Sequence, residues 1–217
     1  MRRRALKRRA AGAVTLAVAL AGLTGLLSGC GSSSPAKAKP ARPDPSQLQA
    51  AGVLEPVTAA PPLALHNSLG EPVNIDSYRG KAVLVTFIYT HCPDVCPLIT
   101  SNLRVALNLM GPKLAKGTQV IAVSVDPKGD TRETVTKFLA AHEMTGRMQY
   151  LIGSARELAA VWKAWGVGAE RDVGHPDLVE HTGIVYGITG SGKRMAVYSA
   201  DFKPADVAHD APILAGL

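Results

Sequence analysis

The sequence predicts an α/β protein in which one sheet carries helices on its faces. Apolar runs typical of buried strands alternate along the chain with segments of helical spacing. Two of those segments begin with the spacing of a capping box, and two pairs of apolar runs flank turn sequences that favour β-hairpins. Residues 61–217 form the predicted domain, a normal length for a single hydrophobic core.

The first 30 residues have the features of an export signal. The cationic start MRRRALKRRA precedes an uncharged apolar stretch that ends in small residues before Cys30. This stretch is long enough to be weighed as a membrane-spanning signal anchor. However, Leu27-Ser28-Gly29-Cys30 resembles a bacterial lipobox, which implies cleavage before Cys30 and acylation of its thiol. We therefore expect a lipid-anchored protein on the extracytoplasmic face of the cell membrane, exported by either the Sec or the twin-arginine route.

Residues 31–60 are predicted to be a flexible tether, because they are rich in Ser, Pro, Ala and Lys and poor in large apolar residues. Most of the positive charge lies before the domain. Residues 1–44 hold nine Lys and Arg against Asp44, a net charge of +8, so the chain total of +7 leaves −1 for residues 45–217. The basic balance belongs to the targeting region, and we expect no nucleic-acid partner.

The first half of the domain is predicted to contain a hairpin and two buried strands. Residues 63–75 have a turn-forming Asn-Ser-Leu-Gly centre between two short apolar runs. Residues 81–89 and 118–125 are continuous, β-branched apolar runs, as expected for strands buried on both faces. Asp126-Pro127 is expected to terminate the second strand.

The second half is predicted to contain helices and a late hairpin. Asp130 with Glu133, and Ser154 with Glu157, have the three-residue spacing of capping boxes. The second helix has a face that we assign to core packing, formed by Leu158, Val161, Trp162 and Trp165. Two apolar runs around Thr-Gly-Ser-Gly at 189–192 predict the hairpin, and a last helix starts near Pro204.

Cys92 and Cys96 lie between the first buried strand and a predicted helix at 97–110. Starting that helix at Pro97 avoids a proline where an N–H is needed, and it leaves residues 93–96 as a turn. Both thiols then lie at a helix N-terminus, where the dipole and free N–H groups favour thiolate. A thiolate is a nucleophile and a soft metal ligand, and the spacing also permits a disulfide. The residues alone leave a disulfide, a redox pair and a metal clamp open.

The chain resembles the Sco/SenC family over about residues 61–203, in the segments YTHCPDVCP, VSVDPKGDTRETVTKFLAAH, YLIGSARELAAVWKAWGV and LVEHTGIVYGITGSGK. The resemblance implies a thioredoxin-like fold, a central mixed sheet flanked by helices with an N-terminal hairpin and a late β-hairpin. It also implies a copper-binding protein that assists cytochrome c oxidase assembly, with copper held by Cys92, Cys96 and His181. Its implied partners are the oxidase subunit that carries the copper A site and other copper chaperones. Sulfur suits Cu(I), and an imidazole also accommodates Cu(II).

Two positions depart from the family pattern. Glu180 stands where the family usually has Asp, and this longer carboxylate is expected to orient the His181 imidazole. The strand-end segment of residues 126–131 lacks the usual arginine, which puts a surface or partner contact in doubt and leaves the copper ligands unchanged. His91, His175 and Asp94 are better explained as loop residues than as ligands.

The predicted function is a membrane-anchored copper metallochaperone that helps to assemble the copper A centre. The alternative is a thiol:disulfide reductase that keeps a partner's copper-binding cysteines reduced, in which Cys92 attacks, Cys96 resolves and His181 is not needed. A peroxiredoxin-like peroxidase is disfavoured because Thr90 stands two residues too close to Cys92 and no pairing arginine can be identified. A purely structural disulfide is disfavoured because so short a loop gains little stability.

Overall fold

Strands in two sheets make up the framework of the protein. The computed structural model describes residues 43–50, 52–171, 179–181 and 183–217, with residues 170, 171, 180 and 181 described as backbone only. The strands are β1 Gly52–Ala59, β2 Ala64–Asn67, β3 Pro72–Asn74, β4 Ala82–Ile88, β5 Thr118–Ser124, β6 Met148–Ile152, β7 Ala169–Arg171, β8 Val179–His181, β9 Ile184–Ile188 and β10 Lys193–Ser199. Eight of them form one sheet in the order β1-β10-β9-β4-β5-β6-β2-β3, and β7 pairs with β8 in a separate ribbon.

The centre of the large sheet is parallel and its flanks are antiparallel. β4 pairs with β5, and β5 with β6, in parallel register, whereas β9 runs antiparallel to β4. Every residue of β4 is buried, as its unbroken apolar sequence predicts. The hairpins predicted at 63–75 and around 189–192 are confirmed as β2–β3 and β9–β10.

Four α-helices flank the large sheet in the described ranges: α1 Val95–Ala115, α2 Arg132–Ala141, α3 Ala155–Trp165 and α4 Pro204–Gly216. α1 and α4 pack against each other, and α4 also contacts β4, β5 and β9. α3 places the Trp165 ring against Phe87 and Tyr186, with ring centroids 5.8 and 5.6 Å apart. Its predicted apolar face is confirmed as core, since Leu158, Val161 and Trp165 are buried.

The helix that contains Cys96 begins two residues earlier than the sequence indicated. α1 starts at Val95, so Pro97 is its third residue rather than its first. The first four N–H groups of a helix have no partner within it, and a proline at the third position therefore removes no hydrogen bond. The helix also continues past residue 110 to Ala115, across a kink at Gly111, whose φ is 68°.

The helix caps agree with the sequence at one of two positions. Ser154 and Glu157 form the predicted capping box of α3. For α2 the prediction of Asp130 as the cap is wrong, because Thr131 caps the helix and pairs with Thr134. The Asp130 carboxylate instead faces the protein interior, where it accepts hydrogen bonds from the Thr90 N–H and the Ser124 hydroxyl.

The folded unit extends further toward the N-terminus than expected, since the described residues belong to one compact unit spanning Pro40–Leu217. Within the predicted tether of residues 31–60, residues 52–59 form β1, an edge strand that pairs with β10. Pairing at a sheet edge uses backbone groups and needs few large apolar side chains, so the composition of residues 52–59 did not predict this strand. Residues 1–42, with the lipobox and Cys30, lie outside the described residues. None of the described helices is long and apolar enough to cross a membrane.

Candidate metal and redox centre

Cys92 and Cys96 lie where β4 gives way to α1, at the carboxyl end of the parallel strands. Such sheet ends are where α/β proteins commonly bind ligands. Cys92 is partly exposed in the turn, whereas Cys96 is fully buried in the first turn of α1. Neither cysteine is in a disulfide. The structure therefore shows a dithiol with one outer and one inner sulfur.

Three donors converge on the Cys92 sulfur. The Cys96 backbone N–H donates to Cys92 Sγ over 3.3 Å. The Cys96 side chain also hydrogen-bonds to Cys92, and this bond, followed by burial, raises the pKa of Cys96 far above its ordinary value of 9.0. The Tyr89 hydroxyl is the third donor. Cys92 Sγ is therefore a hydrogen-bond acceptor, and the Cys96 thiol is one of its donors.

Tyr89, the first residue after β4, connects this turn to the β7–β8 ribbon. Its ring is buried, and its hydroxyl oxygen accepts a hydrogen bond from the Val179 N–H over 3.3 Å. Burial raises the pKa of Tyr89, and the hydrogen bond to Cys92 raises that pKa further. One hydroxyl therefore contacts both the Cys92 thiol and the first residue of β8.

The backbone of His181 is bracketed by contacts to the cysteine turn. Two residues before it, Val179 bonds to Tyr89. Two residues after it, Gly183 lies so close to Val95 that an added Cβ would be 2.9 Å from Val95 Cγ1. His181 itself ends β8, opposite Ala169, rather than directly preceding β9. The side chains of His181 and Glu180 lie outside the described residues, as does His175.

The buried Asp130 carboxylate connects the strand ends beneath the cysteine turn. Sequence reasoning did not assign this residue to the site. Asp130 accepts hydrogen bonds from the Thr90 N–H and hydroxyl, both over 2.8 Å, from Ser124 Oγ over 2.6 Å and from Tyr150 Oη over 2.9 Å. Burial raises the pKa of Asp130 above its ordinary value of 3.8, although these hydrogen bonds oppose the shift. These contacts tie residues at or just beyond β4 and β5 to a side chain of β6.

The other residues weighed near the cysteines have roles that fit loop residues. His91 is exposed, and its Nδ1 lies 3.2 Å from the Thr90 hydroxyl. Asp94 is exposed at the N-cap of α1 without a side-chain capping bond. Neither residue is part of a described metal cluster. Indeed, among the side chains described, no three or more His, Cys, Asp or Glu groups are placed to hold one ion.

A family model described as SCO1/SenC matches residues 54–214. The mitochondrial protein SCO1 homolog of Mus musculus is 29% identical over 151 residues, which cover 68% of this chain and 52% of that protein. The corresponding human protein is 26% identical over 151 residues, covering 68% of this chain and 50% of that protein. The chain thus spans about half the length of these curated relatives.

Solved structures confirm the thioredoxin-like fold. The structure of Bradyrhizobium japonicum ScoI with copper bound has a TM-score of 0.63 and 29% identity, covering 72% of this chain and 99% of that one. The solution structure of apo Sco1 from Thermus thermophilus has a TM-score of 0.63 and 30% identity, with 76% and 95% covered. A further match, 22% identical with a TM-score of 0.62, covers 75% of this chain and 97% of BsSco, described as a member of the Sco family of cytochrome c oxidase assembly proteins.

Proposed function

This chain belongs to the SCO1/SenC family, and from that premise we propose that it is an extracytoplasmic copper metallochaperone that helps to assemble the copper A centre of cytochrome c oxidase. Copper is its cargo. The copper bound to a relative of 29% identity supports this assignment, as does the soft sulfur donor set of Cys92 and Cys96. The proposed recipient is the oxidase subunit that carries the copper A site, and other copper chaperones are the proposed donors.

The proposed ligands are Cys92, Cys96 and His181. The main support for this ligand set is the position of the His181 backbone. Contacts made by residues before and after His181 hold its backbone beside the turn that contains the thiols. The two cysteine side chains already hydrogen-bond to each other, so both sulfurs are near enough to approach one ion. Copper binding displaces the proton that Cys96 holds in the free protein. Glu180 is the proposed partner that orients the imidazole.

Cu(I) competition titration of residues 40–217, the compact unit, tests this ligand set. We expect Cys96→Ser and His181→Ala each to weaken binding by more than about 100-fold, exceeding the 10- to 100-fold typical of outer-shell changes. His66→Ala, which removes an exposed histidine on β2, is the matched control and should leave the affinity unchanged. Wild-type affinity in His181→Ala would contradict the three-ligand site.

The arrangement of the two thiols supports thiol:disulfide reduction as a second function. The Cys92 thiolate attacks one sulfur of an oxidised partner cysteine pair, and the departing partner sulfur takes up a proton. Cys96 then loses its proton and attacks Cys92 Sγ, releasing the second partner thiol and leaving a Cys92–Cys96 disulfide. Two electrons pass from the dithiol to the partner. An oxidised dicysteine peptide should be reduced equally by wild type and His181→Ala, whereas Cys96→Ser should stop at the mixed disulfide.

We also propose that Cys30 is acylated and holds the protein at the membrane. Its lipobox-like context and the cationic, apolar leader before it support this. Expression of the full chain in a bacterial host with radiolabelled palmitate tests the modification. Label should enter the wild-type protein and should be absent from Cys30→Ala, and equal labelling of the two proteins would contradict the proposal.

A further inference from the structure

The β7–β8 ribbon needs support from outside itself. Each of its strands has three residues, and it forms a sheet separate from the central one. An isolated two-stranded ribbon is marginally stable in water. The placement of the His181 backbone therefore depends on contacts between this ribbon and the rest of the domain, of which the bond from the Val179 N–H to the Tyr89 hydroxyl is one.

The Tyr89 hydroxyl can link the ribbon to the thiols because it accepts one hydrogen bond and donates another. Its oxygen accepts from the Val179 N–H, and its O–H donates to the Cys92 sulfur. The ring is buried, so these two partners have little competition from water. Phenylalanine would fill the same space and make neither bond.

We infer that Tyr89 is a positioning residue whose hydroxyl fixes β8 against the Cys92 sulfur and thereby places His181 for copper. This inference rests on the proposed function only where it involves copper and His181. The hydrogen bond that carries it, from the Val179 N–H to the Tyr89 hydroxyl, is made by the protein's own groups. Tyr89 touches the ligand Cys92 but acts on His181 through the β8 backbone, so it is distinct from the three proposed ligands.

The test compares Tyr89→Phe with Tyr186→Phe in residues 40–217. Tyr186 is a matched control because its ring is also buried and its hydroxyl donates one hydrogen bond of 3.3 Å to the Trp165 carbonyl. The first measurement is amide hydrogen exchange at Val179 in the metal-free protein. Loss of one hydrogen bond should accelerate this exchange roughly fivefold in Tyr89→Phe and leave it unchanged in the control. Unchanged exchange in Tyr89→Phe overturns the inference.

The second measurement is a double-mutant cycle with His181→Ala, read by Cu(I) competition. Tyr89→Phe should weaken Cu(I) binding about fivefold more when His181 is present than when His181 is alanine. An equal loss in both backgrounds overturns the inference, because Tyr89 would then act on the thiols alone. If His181→Ala itself leaves the affinity unchanged, the proposed ligand set fails, and Val179 exchange still decides whether Tyr89 fixes β8.

Discussion

At the scale of single residues, Cys92 and Cys96 are chemically unlike although they lie one helical turn apart. Cys92 is partly exposed and accepts hydrogen bonds, whereas Cys96 is buried and donates one, with a raised pKa. The thiolate of an accessible cysteine attacks alkylating reagents. The outer sulfur is therefore the more accessible of the two to a reagent in solution.

We predict that iodoacetamide modifies Cys92 first in the metal-free protein. At pH 8, alkylation of Cys92→Ser should be at least about tenfold slower than that of Cys96→Ser, because the remaining inner thiol is buried. Mass spectrometry of time points measures both rates in residues 40–217. Equal rates in the two variants would show that the thiols are equivalent.

Asp130 gives the stability a specific dependence on pH. Burial raises the pKa of this carboxyl above 3.8, so as the pH rises the unfolded chain loses this proton before the folded protein does. Unfolding then releases a proton and becomes more favourable, which lowers the stability through the window from the ordinary pKa to the folded one. At pH values above that window the loss of stability is constant, and below pH 3.8 there is no loss.

Asp130→Asn removes this titration. The free energy of unfolding of the wild type, relative to that of Asp130→Asn, should therefore fall as the pH rises through this window, by about 1.4 kcal/mol for each unit by which the pKa is raised. Urea denaturation between pH 4 and 8 measures the difference. Asp94→Asn, at an exposed position, should parallel the wild type. A constant difference between Asp130→Asn and wild type would contradict the assigned shift.

At the scale of elements, Gly183 allows the chain before β9 to approach the first turn of α1. An added Cβ would lie 2.9 Å from Val95 Cγ1 and 3.3 Å from Ala200 Cβ, closer than side-chain atoms normally pack. Val95 lies between the two cysteines in sequence. Crowding at Gly183 is therefore transmitted directly to the turn that holds the thiols.

We predict that Gly183→Ala destabilises the protein by about 1–3 kcal/mol through overpacking and lowers its Cu(I) affinity. Adding Val95→Ala makes room for the new Cβ and should restore most of the lost stability and most of the lost Cu(I) affinity. Gly168→Ala is the matched control, since an added Cβ there meets nothing within 4 Å. Thermal denaturation and Cu(I) titration are the measurements. Failure of Val95→Ala to restore either property would indicate that the two residues are not coupled.

The elements that sequence periodicity could predict are those with many apolar residues. β4 and β5 bury most of their side chains and α3 buries one face, and their patterns are correspondingly clear. β7 and β8 have three residues each, too few for a period, and β1 exposes most of its residues. The two cysteines could be identified by motif. The roles of Tyr89 and Asp130 could not, because both depend on partners distant in sequence.

At the scale of the whole molecule, a buried carboxylate holds the N-terminal arm, residues 43–50, to the domain. Asp210 on α4 is fully buried and accepts hydrogen bonds from the Gln49 N–H over 2.8 and 3.0 Å and from the Tyr198 hydroxyl over 2.9 Å. His209 Nδ1 lies 2.8 Å from the same carboxylate. These contacts explain why the compact unit begins well before residue 61.

We predict that Asp210→Ala releases this arm. Buried donors left without an acceptor should cost about 2–3 kcal/mol of stability, and protease cleavage within residues 43–50 should accelerate. Cu(I) affinity should stay at the wild-type value, because none of these hydrogen bonds of Asp210 is made to the cysteine turn. Asp206→Ala, on the same helix, is the control. Unchanged cleavage in Asp210→Ala would show that other contacts hold the arm.

With Cys30 acylated as proposed, the fixed arm limits how far residue 43 can lie from the bilayer. A tether of residues 31–60 would allow about 100 Å of fully extended chain, whereas the stretch from Cys30 to residue 43 can extend only about 45 Å. With Cys30 acylated as proposed, a recipient must present its empty site within a shallow layer next to the lipid headgroups. Subunits embedded in the same membrane meet that condition, and freely diffusing proteins do so only when they approach the surface.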